Sequence, residues 1–222
     1  MRLLSVKLIA ATSLTCVVAS PAIAQPRPME RSIERQREAV AAWTTCIADE
    51  QTEDVEAMLV LDFEGEEYRK RIGELSETRV SSECFEAMPR AYRRIKLGGL
   101  PFAGGLAEQL LKADNTPLIN RLSMAAIGPA AQTFSYTDAI AMCTVRGAPN
   151  LVAALFDSEV NSDNEIAAAD ALVPVTAYCT VGKRKFEASA FGLRSMLATA
   201  SYRLLAAQDS VEAIENVAEA AE

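Results

Sequence analysis

The chain has 222 residues, 50% of them hydrophobic but only 6% aromatic, with a formal net charge of −8 and no histidine. The length suits one domain, or two small ones sharing a core. The acidic balance argues against nucleic-acid binding, which needs a basic footprint to displace counterions. The missing histidine excludes Ser-His-Asp and Cys-His catalysis and two-histidine zinc sites.

Met1–Ala24 has the three parts of a secretory signal. Arg2 and Lys7 supply the positive start, Leu8–Ala19 an apolar stretch, and Ala22-Ile23-Ala24 a small-x-small cleavage site before Gln25. The apolar stretch is shorter than the roughly 20 residues that span a bilayer. No transmembrane segment is expected in the mature chain. Gln25-Pro26-Arg27-Pro28 then reads as a short spacer.

From about Met29 to Ala48 the pattern is helical, with Ile33, Val40, Trp43 and Ile47 on one face and Cys46 at its edge. Arg31, Glu34, Arg35, Arg37 and Glu38 are expected in solvent, and Trp43 in the core. Val55–Leu61 predicts a short helix leading into the acidic loop Asp62–Glu67, and a further helix then carries Cys84. Gly98-Gly99-Leu100-Pro101 reads as a turn, and Gly104 and Gly105 as points of close helix packing. Asn115-Thr116-Pro117 and Gly128-Pro129 punctuate a linker with one short helix near Leu118–Ala126.

The pattern then repeats. An offset of 97 (143 − 46) brings Cys46 onto Cys143, Ala42 onto Ala139, Val55 onto Val152, Leu59 onto Phe156 and Leu75 onto Leu172. Leu151–Phe156 is the second short helix, Asp157–Glu165 the second acidic loop, and Cys179 the partner of Cys84. Ser162 and Glu165 fit a capping box. Pro89 and Pro174 mark helix ends, starts or kinks. Under an offset of 91 (193 − 102), Phe102–Lys112 aligns with Leu193–Arg203. Asp209-Ser210-Val211-Glu212 resembles a cap opening a terminal helix over 209–221.

Four cysteines allow three connectivities. The repeat selects Cys46–Cys84 and Cys143–Cys179, and export to an oxidising compartment favours disulfides. No run of alternating apolar and polar residues reads as strand. The expectation is therefore an all-α single domain, built from two related helical repeats over about 37–112 and 134–203, each with one disulfide. A linker at 113–133 joins them.

The chain resembles a group of uncharacterised exported proteins of alphaproteobacteria, in which a cysteine helix precedes a second cysteine and a motif similar to Leu-Arg-Gly-x-Leu-Ala-Glu. Leu193-Arg194-Ser195-Met196-Leu197-Ala198 matches this motif in part, with Thr199 replacing the glutamate. Gly104-Gly105-Leu106-Ala107-Glu108 matches its other half, with Ala103 replacing the arginine. The resemblance implies fold and export and adds no active site.

Chemical motifs are sparse. The cysteine gaps do not match the close pairs of structural zinc sites, and the glycine pairs lack the continuation of a phosphate loop. Glu64, Glu66, Glu67 and Glu83 are candidates for paired-carboxylate chemistry but read as solvated. Asp157, Glu159, Asn161, Asp163 and Glu165 alternate like a calcium loop, yet Ser162 and Ala168 occupy its glycine and glutamate positions. Arg90, Arg93, Arg94 and Lys96, with Lys183, Arg184 and Lys185, form a possible anion patch or a set of helix-end cations. No catalytic, cofactor or metal residue is assigned. The expected function is that of a periplasmic or secreted non-enzymatic protein binding another protein or an envelope component. The alternative is a carboxylate-dependent hydrolase of cell-wall glycans.

Overall fold

The computed structural model of the protein describes residues 32–219, apart from 89, 91, 94–96, 181 and 183–184. The leader and spacer lie outside the described residues, as do Pro89, Arg94, Lys96, Lys183 and Arg184. Among the described residues the fold is all-helical, with ten helices and two disulfides.

Helix α1 (Ile33–Glu50) opens on Ser32, whose hydroxyl accepts from the Arg35 amide. It buries Trp43, Cys46 and Ile47, and the Trp43 indole N–H donates to the Tyr92 carbonyl. The expected face is rotated at its start. Ile33 is 70% exposed, whereas Arg37, expected in solvent, is buried. Its guanidinium lies over the Phe191 ring and reaches an acidic partner below it, so a paired cation takes an apolar residue's place.

Helices α2 (Thr52–Leu59), α3 (Glu66–Glu77) and α4 (Ser82–Ala87) follow. One helix was expected to carry Cys84, but the chain breaks between α3 and α4. Ser81 starts α4 by accepting from the Cys84 amide, while its own amide donates to the Glu50 carboxylate of α1. These side-chain partners satisfy backbone groups that a continuous helix would have paired internally. Helix α9 (Asp163–Cys179), which carries Cys179, is continuous despite Pro174 inside it.

Helices α5 (Gly99–Ala113) and α10 (Ala190–Glu219) form the central pair. Helix α1 packs on α5, and α7 (Tyr136–Gly147) packs on α10. Helix α8 (Pro149–Asp157) packs against α9 and against α6 (Leu118–Ile127), whose Leu122 and Ala125 are buried. The linker thus contributes to the core. Phe102, Leu106 and Leu111 of α5 meet Leu197 and Leu204 of α10 in one apolar cluster with Phe156 and Leu172. The helix expected to open at Asp209 is not separate, because α10 runs on through that position. Ser210 donates back to the Ala206 carbonyl, a mid-helix bond rather than a cap.

Cys46 of α1 is bonded to Cys84 of α4, and Cys143 of α7 to Cys179 of α9. No single helix among the described residues is long and apolar enough to cross a membrane.

The α5–α10 crossing depends on Gly104. A β-carbon there would stand 2.6 Å from the Ser195 Cα, a backbone atom that cannot swing aside. Alanine would gain roughly 1 kcal/mol from helix propensity, but overpacking costs about 1–3 kcal/mol. Gly104→Ala is expected to lower the melting temperature, and thermal denaturation showing a rise would contradict this packing account.

Candidate functional site

Several clefts flank the central helix pair, and two of them differ in what fills them. The smaller, about 110 Å³, lies where α1, α5 and the start of α10 meet. Arg194 dominates it. Its Nε and Nη2 make paired bonds to the Glu108 carboxylate at 2.8 and 2.6 Å. Its Nη1 reaches Glu165 at 3.2 Å and the Leu155 carbonyl at 3.0 Å. Further bonds go to the Phe156 and Ser158 carbonyls, so the guanidinium also caps the C-terminal end of α8. Glu165 additionally accepts from Arg37 at 2.5 Å, and Glu108 from Lys112 at 2.6 Å.

Glu165 arrives there through local helix chemistry. Ser162 caps α9 by accepting from the Glu165 amide, while the Glu165 carboxylate accepts from the Asn161 amide. The capping geometry turns this side chain inward, where it is 1% exposed. Among the alternating acidic residues of that loop, it becomes a buried ion partner. No group of three or more metal-ligating side chains gathers among the described residues.

Burial alone would push the Glu108 carboxyl up, but bonds and charge from Arg194 and Lys112 outweigh it and hold it below its ordinary value. For Glu165, burial is likewise outweighed, by Arg37, the Asn161 amide and Arg194. Burial opposes the charge on Arg194 too, yet Glu108 and Glu165 leave its pKa raised. Both carboxyls are therefore ionised at neutral pH. A carboxyl pair working as acid and base needs one member kept protonated.

A lowered folded pKa stabilises fully above the unfolded value, about 4.3 for glutamate, and that stability is lost as pH falls through the folded value. The melting temperature is accordingly expected to fall steeply below about pH 4.3. Glu108→Gln should flatten that acid limb, as a series of melting curves against pH would read. An unchanged acid limb would contradict the network's role.

The larger cleft, about 290 Å³, opens between α7, α10 and the segment joining α2 to α3. Leu59, Leu61, Phe63, Leu100, Ala141 and Met196 give it an apolar lining. Tyr68, Thr137 and Thr199 add hydroxyls, and the buried pair Arg203 and Asp138 also lines it. Phe63 meets Tyr68 and Phe134 edge-on, with ring centres 6.5 and 5.8 Å away. Arg203 is paired to Asp138 through two bonds, one of them 3.0 Å long, and lies over Phe134. Asp138 also accepts from the Phe134 amide at the start of α7. Burial pushes the Tyr68 phenol up to about 12, with Arg203 pulling the other way.

The residues considered from sequence lie elsewhere. Glu64, Glu66, Glu67 and Glu83 are exposed and line neither cleft. Arg93 lies over Phe85 and donates to the Met88 and Glu86 carbonyls at the end of α4, a structural use. Arg90 and Lys185 are exposed. The charges missed by sequence reasoning are Arg37, Glu108, Asp138, Arg194 and Arg203. The degenerate motif contained a signal for two of them, since Arg194 of one partial match binds Glu108 of the other. No protein-family model, curated protein or solved structure matches the chain.

Proposed function

We propose that this chain is an exported, non-enzymatic helical protein of the periplasm or cell surface, built from two related halves and binding a partner or envelope component. Kinship with the exported alphaproteobacterial group belongs to the same proposal. The observation that carries the binding reading is the larger cleft. It is lined mainly by apolar side chains, and the one carboxylate in its lining, Asp138, is held by Arg203. Pockets of this composition suit binding.

Several contacts support the relation between the halves. Gly104 and Ser195 are matched positions under the offset of 91, and they touch each other across the central pair. Matched positions meet in this way on a two-fold axis. Helix α1 lies against α5 as α7 lies against α10, and each opening helix, α1 or α7, is tied by a disulfide to a later helix, α4 or α9. Export is supported by the leader and by both bridges, which persist in oxidising compartments.

The glycan-hydrolase alternative would need a carboxyl acid beside a carboxylate. The buried pair Glu108 and Glu165 is the only plausible source among the residues discussed, and arginines keep both ionised. Expression with the native leader tests the reading. The mature protein is expected in the periplasmic or secreted fraction with a mass beginning at Gln25, and inert on peptidoglycan. An unprocessed cytoplasmic chain would defeat the export reading, and glycan release abolished by Glu108→Gln would decide for the hydrolase.

A further inference from the structure

The two clefts occupy matched places, and their contrast says what the larger one accepts. Under the same offsets Arg194 corresponds to Ala103, Glu108 to Thr199, Glu165 to Tyr68, and Arg37 to Phe134. In the smaller cleft the charged members of these pairs fill the space with an ion network. In the larger, uncharged Tyr68 and Thr199 stand where Glu165 and Glu108 stand in the smaller, and about 290 Å³ stays open.

We infer that the larger cleft is a binding site for a small uncharged amphiphile, with an apolar body of about eight to ten carbons and one hydrogen-bond-accepting oxygen. The inference rests on the binding reading above and names the ligand class of that cleft. The size follows from volume, since a cavity of about 150 Å³ already holds benzene, and this one is about twice as large. The apolar body follows from Leu59, Phe63, Leu100 and Met196. The oxygen follows from Tyr68, whose phenol stays protonated at neutral pH and is a ready donor. The lack of charge follows from Arg203 and Asp138. They neutralise each other, so a charged ligand would lose hydration without an unspent counter-charge.

The test uses 1-octanol, octanoate and octylammonium as probes of the mature, disulfide-intact protein. Carbon-13 methyl spectra give the readout, with Met196 and Leu59 as reporters in the cleft and Leu122 as a remote control. Octanol is expected to shift the Met196 and Leu59 methyls saturably, at one site, and at least about tenfold more tightly than either charged probe. Tyr68→Phe should weaken it by about fivefold, the effect of one hydrogen bond. Thr137→Trp, at an exposed position on the rim, should abolish the shifts while Leu122 keeps its native signal. Met196→Trp should likewise block binding, with Leu59 as reporter, should the rim variant fail to fold.

Cleft methyls that ignore octanol would overturn the assignment. So would equal binding of the charged probes, or octanol shifts that survive both blocking variants. An exported, inert protein whose cleft ignores octanol would lose this inference alone. A cytoplasmic protein that binds octanol would lose the export reading and keep the cleft.

Discussion

Replacing Arg194 with methionine is expected to destabilise the fold by about 3–5 kcal/mol, the range found when one member of a buried ion pair is removed. Methionine keeps much of the side-chain volume, so the loss reports charge and hydrogen bonding more than an empty space. Glu108 would retain Lys112, and Glu165 would retain Arg37 and the Asn161 amide. Neither would keep the central guanidinium, and the C-terminal carbonyls of α8 would lose a shared donor. At roughly 2–4 °C per kcal/mol for a domain of this size, the melting temperature should fall by about 10 °C. Arg194→Lys should recover little, because an ammonium cannot reproduce the paired bonds to Glu108. Urea denaturation of the disulfide-intact protein checks the free energy, and a melting shift below about 2 °C would show that the network contributes little.

This network marks where sequence reasoning stops. Trp43 and Ile47 could be placed in the core because their spacing follows a helical face, and both are buried. Val55, Leu75, Val152 and Leu172 could be paired by offset, and all four are buried. Periodicity reports which face is apolar, so it assigns charged residues to solvent. Arg37 and Glu165 violate that rule because each has a partner from a distant part of the chain. The pairing of Arg194 with Glu108 was partly legible, since each partial match of the degenerate motif holds one member. Recognising them as one pair required knowing that α5 and α10 cross at Gly104 and Ser195. The larger cleft was not legible, because Tyr68 and Ala141 carry no motif and Thr199 stands out only as a departure from one. Their role comes from the small or uncharged side chains that leave space beside them.

The two disulfides should differ in what their loss does, although their loops are nearly equal. With the paired cysteines 38 and 36 positions apart, the chain-entropy model gives about 4 kcal/mol for each bridge. That value assumes a native state that stays intact when the bond is removed. Helices α7 and α9 pack directly on one another and share the core through Val145 and Leu172. Cys143→Ser with Cys179→Ser should therefore cost close to the full amount. Helix α4 is short, packs only slightly on other helices, and is held mainly by Cys84 and the Glu50–Ser81 bonds. Without its bridge, α4 can detach while the rest stays folded, so the native state recovers entropy and the global loss should be smaller. Glutamyl endopeptidase should then cut at Glu83 and Glu86 in the Cys46→Ser, Cys84→Ser protein under native conditions. The same sites should resist in the Cys143→Ser, Cys179→Ser protein wherever it remains folded. Equal losses of stability with no selective cleavage would mean that α4 is anchored by packing, and would reject the distinction between the two bridges.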